Sequence, residues 1–203
     1  MTNLDHILHS PAPNCSPLFP FLYLLTKQTP IYLQTHPPTR TPFFKPQGFV
    51  RAYSQILDHA APSYRLLFQH LLQTTATTAA EPNGTLIHCT AGKDRTAVAV
   101  ALLLSLLSLP TDAIAAEYAL SEPGLAGLRE KLAPGLLATG AFDGPNGSKD
   151  EAAVHRMLSA RAENMVATLE AIREKYGGAE GYLTGVLGFS AEEVQRLRDG
   201  FVV

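Results

Sequence analysis

The segment from Thr85 to Leu109 constrains the fold of this chain more than any other. It begins with a short apolar run at 85–87, passes through a loop that contains Gly92, and continues as the long apolar run 97–109. A short apolar run bounded by turn residues is typical of a buried strand, and a longer one is typical of a buried helix. We therefore predict a strand over 85–88 and a helix over 96–109 that ends before Pro110.

A buried strand that leads directly into a helix indicates an α/β fold. Helical spacing of apolar residues recurs over 49–72 and over 148–176, and we interpret the second stretch as one long amphipathic helix. We expect a small, mostly parallel central sheet flanked by helices, with a helical C-terminal half. Capping boxes are predicted at two helix starts, Ser148 with Glu151 and Ser190 with Glu193.

Residues 1–48 differ in composition from the rest of the chain. They contain most of the fifteen prolines, many threonines and few charged residues. Proline removes a backbone donor and is poorly tolerated inside helices and sheets. We therefore expect an irregular segment over 1–48, with one short strand at 31–33, followed by a single domain over 49–203 that is long enough to bury a core.

Composition excludes several classes of partner. The formal net charge is -2 and no long basic run occurs, so a nucleic-acid-binding surface is not expected. The two cysteines, Cys15 and Cys89, lie far apart, which favours a reduced, cytoplasmic protein over a disulfide framework. The apolar run 97–109 falls short of the roughly 20 residues that a membrane span needs.

The residues between Cys89 and Thr96 suit the binding of a phosphate dianion. Cys89 lies six positions before Arg95, with Gly92 between them. Successive backbone N–H groups of a tight loop and the N-terminus of a helix attract anions, and a planar guanidinium can bind two phosphoryl oxygens. The predicted phosphate contacts are Thr90, Ala91, Gly92, Lys93, Arg95 and Thr96.

Cys89 is the predicted nucleophile. The pKa of a cysteine falls at a helix N-terminus beside cations, so its thiolate can attack phosphorus and form a phosphocysteine that water hydrolyses. Thr96 can donate a hydrogen bond to the sulfur, and His88 is predicted to orient the loop. The leaving group needs a proton, and Asp94 is the nearest carboxylate in sequence. A purely structural role for Asp94 at the helix start stays open. Lys93 is expected to add positive charge at the mouth of the pocket.

Other interpretations of the loop fail on single residues. A nucleotide-binding P-loop needs glycine at position 87 and serine or threonine at position 94, which are Ile87 and Asp94. A dithiol redox site needs a second cysteine at position 92, which is Gly92. The histidines show no metal-ligand spacing, and we expect neither a metal nor a cofactor.

The segment His88–Thr96, HCTAGKDRT, resembles the signature of cysteine-dependent protein-tyrosine phosphatases. Its Gly-Lys-Asp-Arg core resembles the atypical tyrosine/serine phosphatases similar to mycobacterial protein-tyrosine phosphatase B. The resemblance implies that Cys89 is the nucleophile, that Arg95 binds phosphate, and that Asp94 is the general acid in place of a mobile Trp-Pro-Asp loop. The chain contains no tryptophan, which agrees with that role. The match at Lys93 implies activity on phosphoinositides as well as phosphoproteins.

The resemblance extends over about 49–203 and has two departures. Ala97 replaces the glycine that usually follows the Arg-Thr pair. The branch also begins with an Asn-Phe-Arg-Asp-Leu-Gly-like strand and a later Asp-Leu-Arg strand, and neither is found in 1–48. We expect a phosphatase domain that lacks these N-terminal strands.

The sequence therefore predicts hydrolysis of phosphomonoesters in a phosphorylated protein or a phosphoinositide. The alternative is a catalytically weak pseudophosphatase that binds phosphorylated ligands. A third hypothesis, a sulfurtransferase with a cysteine-headed loop, is disfavoured by Thr96 and by the run 93–95.

Overall fold

The computed structural model describes residues 46–75, 85–89, 91–140, 142–143 and 147–201, and these residues are predominantly helical. Their helices are α1 (Pro46–His59), α2 (Ala61–Thr75), α3 (Asp94–Leu106), α4 (Thr111–Ala119), α5 (Ser121–Gly124), α6 (Ala126–Ala138), α7 (Glu151–Met157), α8 (Ala162–Tyr176), α9 (Ala179–Gly185) and α10 (Ala191–Phe201). One isolated antiparallel bridge joins Asp143 and Lys149.

The predicted central sheet is wrong as far as the described residues extend. The segment 85–89 has no regular secondary structure and pairs with no strand, and Leu86 is 71% exposed. An extended segment needs a neighbouring strand for its backbone hydrogen bonds, and these residues supply none. A run of three or four apolar residues is too short to specify which strand it pairs with. Helical spacing of apolar residues over a dozen positions is long enough to specify a helix. The strand predicted at 31–33 lies outside the described residues.

Helix α3 occupies the centre of the core. Its residues Val98, Leu102 and Leu106 are buried at four-residue spacing, and the helix packs against α1, α4 and α9. Helix α8 lies across α1 and α4 and completes this side of the core. A helix surrounded in this way is apolar around most of its circumference, as the sequence of α3 is. Helix α3, whose first turn follows the loop, is therefore packed against three other helices.

The ends of α3 differ slightly from the prediction. The helix begins at Asp94, two residues earlier than expected, with a carboxylate in its first turn that favours the positive end of the helix dipole. It ends at Leu106, where Ser108 adopts a left-handed conformation (φ 63°). The N–H groups of Ser108 and Leu109 then bond to the carbonyl groups of Ser105 and Leu104, which closes the helix in a Schellman motif.

The long helix predicted over 148–176 is divided into α7 and α8. Asp150, rather than Ser148, caps α7 by accepting a hydrogen bond from the Ala153 N–H, so the capping box predicted there is wrong. Between the two helices, side chains satisfy exposed backbone groups. Glu122 accepts from the Ala160 N–H and pairs with Arg129, whose Nε donates to the Leu158 carbonyl group at 3.2 Å.

The second capping box is confirmed at the start of α10. The Ser190 N–H donates to Glu193 Oε2 at 2.8 Å, and the Glu193 N–H donates to Ser190 Oγ at 3.1 Å. Phe189 and Val194 are both buried on either side of this turn, as a hydrophobic staple requires. No helix within the described part of the chain combines the length and the apolar character needed to cross a membrane.

Candidate active site

The loop before α3 turns back on itself at Gly92. The Gly92 N–H donates to the Cys89 carbonyl oxygen at 3.2 Å, and Gly92 has a φ of +64°, in the left-handed region that glycine adopts without strain. A Cβ at this position would meet no atom within 4 Å, so the backbone conformation, rather than crowding, requires glycine. The turn brings the sulfur of Cys89 to the first turn of α3.

The environment of Cys89 favours the thiolate. Burial opposes ionisation, but hydrogen bonds from the hydroxyl and the backbone N–H of Thr96 and the positive charge of Arg95 outweigh it and lower the pKa of Cys89. The nearby carboxylate of Asp94 acts in the opposite direction. The Thr96 hydroxyl is itself buried and has no other hydrogen-bond partner among the described residues, which leaves it available to the sulfur.

Arg95 is fixed from the side of the core. Its carbonyl oxygen accepts a hydrogen bond from the hydroxyl of Tyr64 on α2 at 2.8 Å. Tyr64 is fully buried, and burial raises its pKa well above the usual value, so its hydroxyl remains a donor. The guanidinium of Arg95 is close enough to act on the charge of Cys89. The predicted nucleophile and the predicted phosphate ligand therefore lie side by side at the start of α3.

Asp94 is connected to α1. Its Oδ1 atom accepts hydrogen bonds from the Tyr53 hydroxyl and from Lys93 Nζ, each at 2.8 Å. The Asp94 side chain is 40% exposed, whereas Tyr53 and Lys93 are buried. Oδ1 is thus bonded to two buried side chains, while the Asp94 side chain as a whole remains partly exposed.

Lys93 points inward. Its side chain is 3% exposed, its ammonium donates to the Met157 carbonyl oxygen at 2.9 Å, and it lies 5.2 Å from the centre of the Phe49 ring. A buried ammonium needs an anionic partner and further acceptors, and Asp94, Met157 and Phe49 supply them. The charge expected at the mouth of the pocket is therefore directed at Asp94.

The remaining predicted residues surround the turn. His88 Nδ1 lies 3.3 Å from the Cys89 carbonyl oxygen, a contact in which the nitrogen has to be the donor. His88 and Ala91 are half-buried, and Gly92 is exposed. Thr90 lies outside the described residues.

Sequence reasoning missed the tyrosines that hold the loop. Tyr53 and Tyr64 lie within 49–72, where the sequence predicted only helical spacing of apolar residues, yet their hydroxyl groups contact Asp94 and Arg95. Tyr118 on α4 was also missed, and its hydroxyl lies 2.8 Å from that of Tyr53. A tyrosine within a buried stripe does carry a signal, because a buried phenol hydroxyl needs a hydrogen-bond partner. The sequence does not indicate which residue that partner is.

The sequence of the chain is similar to those of known phosphatases. Residues 15–203 match the model of the tyrosine phosphatase family. A tyrosine-protein phosphatase of Nostoc commune is 36% identical over 154 residues, which cover 75% of this chain and 49% of that protein. The triple specificity protein phosphatase PtpB of Mycobacterium tuberculosis is 33% identical over 135 residues, which cover 64% of this chain and 48% of that protein. The chain thus spans about half the length of the curated relatives it matches.

Proposed function

This chain belongs to the tyrosine phosphatase family, and we propose that it hydrolyses phosphomonoesters on proteins through a phosphocysteine intermediate. The observation that carries the proposal is the buried Cys89, whose pKa is lowered by Thr96 and Arg95 at the start of α3. A thiolate beside a guanidinium and a helix N-terminus can act as a nucleophile where a phosphate dianion binds.

In the first step, the phosphoryl group binds against the loop 90–93, the guanidinium of Arg95 and the first turn of α3. The sulfur of Cys89 attacks phosphorus, and the bond from phosphorus to the leaving oxygen breaks. Asp94, as general acid, gives its proton to that oxygen, and the product leaves as an alcohol or a phenol. The negative charge that develops on the phosphoryl oxygens is met by Arg95.

In the second step, water attacks the phosphocysteine. Asp94, now a carboxylate, accepts a proton from the water, and the bond between sulfur and phosphorus breaks. The Thr96 hydroxyl and N–H stabilise the departing thiolate, as they stabilise it in the resting protein. Inorganic phosphate is released, and Cys89 and Asp94 return to their starting states.

The proposed substrates are phosphotyrosine and phosphoserine in proteins, with phosphoinositides as a further class. Support for the protein substrates comes from the names of the relatives, a tyrosine-protein phosphatase and a triple specificity protein phosphatase. The phosphoinositide proposal rests on the resemblance at Lys93. Because the Lys93 ammonium is occupied by Asp94, we expect its backbone N–H, rather than its side chain, to contact phosphate.

We also propose that the catalytic domain comprises 49–203 and that the protein acts in the cytoplasm. Phe49 is a buried core residue of α1, so the described core includes the start of this range. A catalytic thiolate must remain reduced, and the cytoplasm keeps thiols reduced.

Substitution of the nucleophile tests the proposal. We expect Cys89→Ser to abolish hydrolysis of para-nitrophenyl phosphate, because a serine hydroxyl at this site stays protonated at neutral pH. Cys15→Ser, which removes the other cysteine of the chain, should retain activity, and EDTA should have no effect. Activity that survives Cys89→Ser would contradict the proposal.

Rapid quenching separates the proposal from its alternatives. A ³²P-labelled phosphotyrosyl peptide should label the wild-type protein and the Cys15→Ser variant at Cys89, and should leave Cys89→Ser unlabelled. Binding of the peptide without labelling or turnover would identify a pseudophosphatase instead. Transfer of sulfur from thiosulfate to cyanide would identify a sulfurtransferase.

A further inference from the structure

The two oxygen atoms of the Asp94 carboxyl group have different surroundings. Oδ1 accepts hydrogen bonds from the Tyr53 hydroxyl and from Lys93 Nζ. Among the residues that the structure describes, none donates to Oδ2. An ammonium group has donors only, so Lys93 always presents a hydrogen to Oδ1. A proton on Oδ1 would therefore lie against the ammonium hydrogens.

A second tyrosine sets the direction of the Tyr53 hydroxyl. The hydroxyl groups of Tyr53 and Tyr118 lie 2.8 Å apart, and both rings are buried. Tyr53 has one hydroxyl hydrogen and uses it on Asp94, so Tyr118 has to be the donor to Tyr53. Burial raises the pKa of both phenols, and the charge of Asp94 raises them further, so both remain protonated. The hydrogen bonds thus run from Tyr118 to Tyr53 to Asp94.

The Tyr53 ring packs against two other aromatic rings. It makes edge-to-face contacts with Phe49, at 5.8 Å between ring centres, and with Tyr118, at 6.5 Å. Phe49 also lies against the Lys93 ammonium. Helix α1 therefore supplies Tyr53, which donates a hydrogen bond to Asp94. It also supplies Phe49, which packs against the Lys93 ammonium that pairs with Asp94.

We propose that Tyr53 is a positioning residue for the general acid: together with Lys93 it occupies Oδ1 of Asp94, so that Oδ2 carries the proton given to the leaving group. This inference rests on the proposed function, in which Asp94 is the acid. Without the Tyr53 hydroxyl, the carboxyl group can rotate about its terminal bond, and the proton is no longer confined to one oxygen. Tyr53 touches neither the substrate nor the reacting atoms in this role.

The test replaces the hydroxyl and keeps the ring. Proton donation matters for phenyl phosphate, whose leaving group is poor, and little for 2,4-dinitrophenyl phosphate, whose leaving group needs no proton. We expect Tyr53→Phe to lower kcat/KM for phenyl phosphate about tenfold, the upper end for the loss of one hydrogen bond between neutral groups. The kcat/KM for 2,4-dinitrophenyl phosphate and inhibition by inorganic phosphate should stay close to wild type, because kcat/KM reports on formation of the phosphocysteine and not on the later water step that both substrates share.

Tyr182→Phe is the matched control. Tyr182 is equally buried, and its hydroxyl donates to the Leu57 carbonyl oxygen on the same helix, α1, at 2.6 Å. The variant therefore loses a buried hydroxyl and a bond to α1 without contact to Asp94, and it should show no dependence on the leaving group. An equal selective loss in Tyr182→Phe would assign the effect to α1 as a whole and overturn the inference.

A double-mutant cycle shows whether Tyr53 acts through Asp94. If it does, Tyr53→Phe in an Asp94→Asn background adds no further selective loss, because no acidic proton is left to position. Independent, additive losses would overturn the inference. If Asp94→Asn alone lowers kcat/KM equally for both substrates, the acid role in the proposed function fails. If Asp94→Asn is selective and Tyr53→Phe is not, only the positioning role fails.

Tyr118→Phe provides a second route to the same result. It keeps the Tyr53 hydroxyl but removes the donor that directs it toward Asp94. We expect the same selectivity for phenyl phosphate with a smaller loss. Should Tyr53→Phe fail to fold, as judged by circular dichroism, a non-selective Tyr118→Phe would count against the inference and a selective one would support it.

Discussion

At the scale of single residues, the site depends on opposing influences on one sulfur atom. Burial and the charge of Asp94 disfavour the Cys89 thiolate, and Thr96 and Arg95 favour it strongly enough to lower its pKa. Thr96 contributes twice, through a backbone N–H that any residue would keep and through a hydroxyl that only serine or threonine supplies. The hydroxyl contribution can therefore be removed without changing the backbone.

We expect Thr96→Val to raise the pKa of Cys89. The thiolate loses one hydrogen bond and the thiol loses little, so ionisation shifts to higher pH. Iodoacetamide reacts with the thiolate, and the pH midpoint of inactivation should move upward, with slower inactivation at neutral pH. Thr184→Val, which removes a hydroxyl on α9 that donates to the Glu180 carbonyl oxygen, is the control. An unchanged midpoint in Thr96→Val would show that the hydroxyl does not act on the sulfur.

At the scale of helices, the local sequence predicts a helix start correctly where nearby side chains bond the free N–H groups of its first turn. Ser190 and Glu193 satisfy each other's N–H groups within four residues, and that capping box is confirmed. The box predicted at Ser148 is wrong because Asp150 caps α7 two residues later. The division between α7 and α8 was not predicted. The side chains that bond the backbone groups between the two helices, Glu122 and Arg129, come from an earlier part of the chain.

Ser190→Ala should lower the free energy of unfolding by about 1 kcal/mol, the usual cost of removing an N-cap side chain. Urea denaturation followed by circular dichroism measures it. Glu192→Ala removes a carboxylate from the same first turn but from outside the box, and should cost less. An equal loss in both variants would assign the stabilisation to charge near the helix dipole and not to the cap.

At the scale of the whole molecule, the core and the site share one helix. The body of α3 is buried among α1, α4 and α9, while its first turn carries Asp94, Arg95 and Thr96. Helix α10 is also attached to α3, since Arg198 Nε donates to the Leu106 carbonyl oxygen at 3.0 Å. The geometry of the site is therefore tied to the packing of the core.

Leu102→Ala, in the middle of α3, should lower the free energy of unfolding by about 2–5 kcal/mol, because it leaves a cavity at a fully buried position. Leu66→Ala on α2, where the side chain is 49% exposed, should change it by about 0.5 kcal/mol or less. Denaturant titration of both variants makes the comparison. Similar losses at the two positions would contradict the central placement of α3.

The predicted sheet was wrong, and the predicted helical C-terminal half was confirmed, for the same physical reason. A helix forms all its backbone hydrogen bonds within one segment, so spacing of apolar residues over a dozen positions is enough to reveal it. A strand depends on a partner elsewhere in the chain, and the described residues offer none to 85–89. The helices could therefore be recognised from the local sequence pattern, whereas the pairing of strands could not.

By itself, the sequence determined which chemical groups stand next to one another at the start of α3. Cys89, Asp94, Arg95 and Thr96 are close along the chain, and one glycine turn followed by one helical turn brings them together. Only the tertiary structure decided what holds them. Tyr53 lies 41 positions before Asp94, and Met157 lies 64 positions after Lys93. Such contacts arise because distant helices share a core, and no short stretch of sequence encodes that packing.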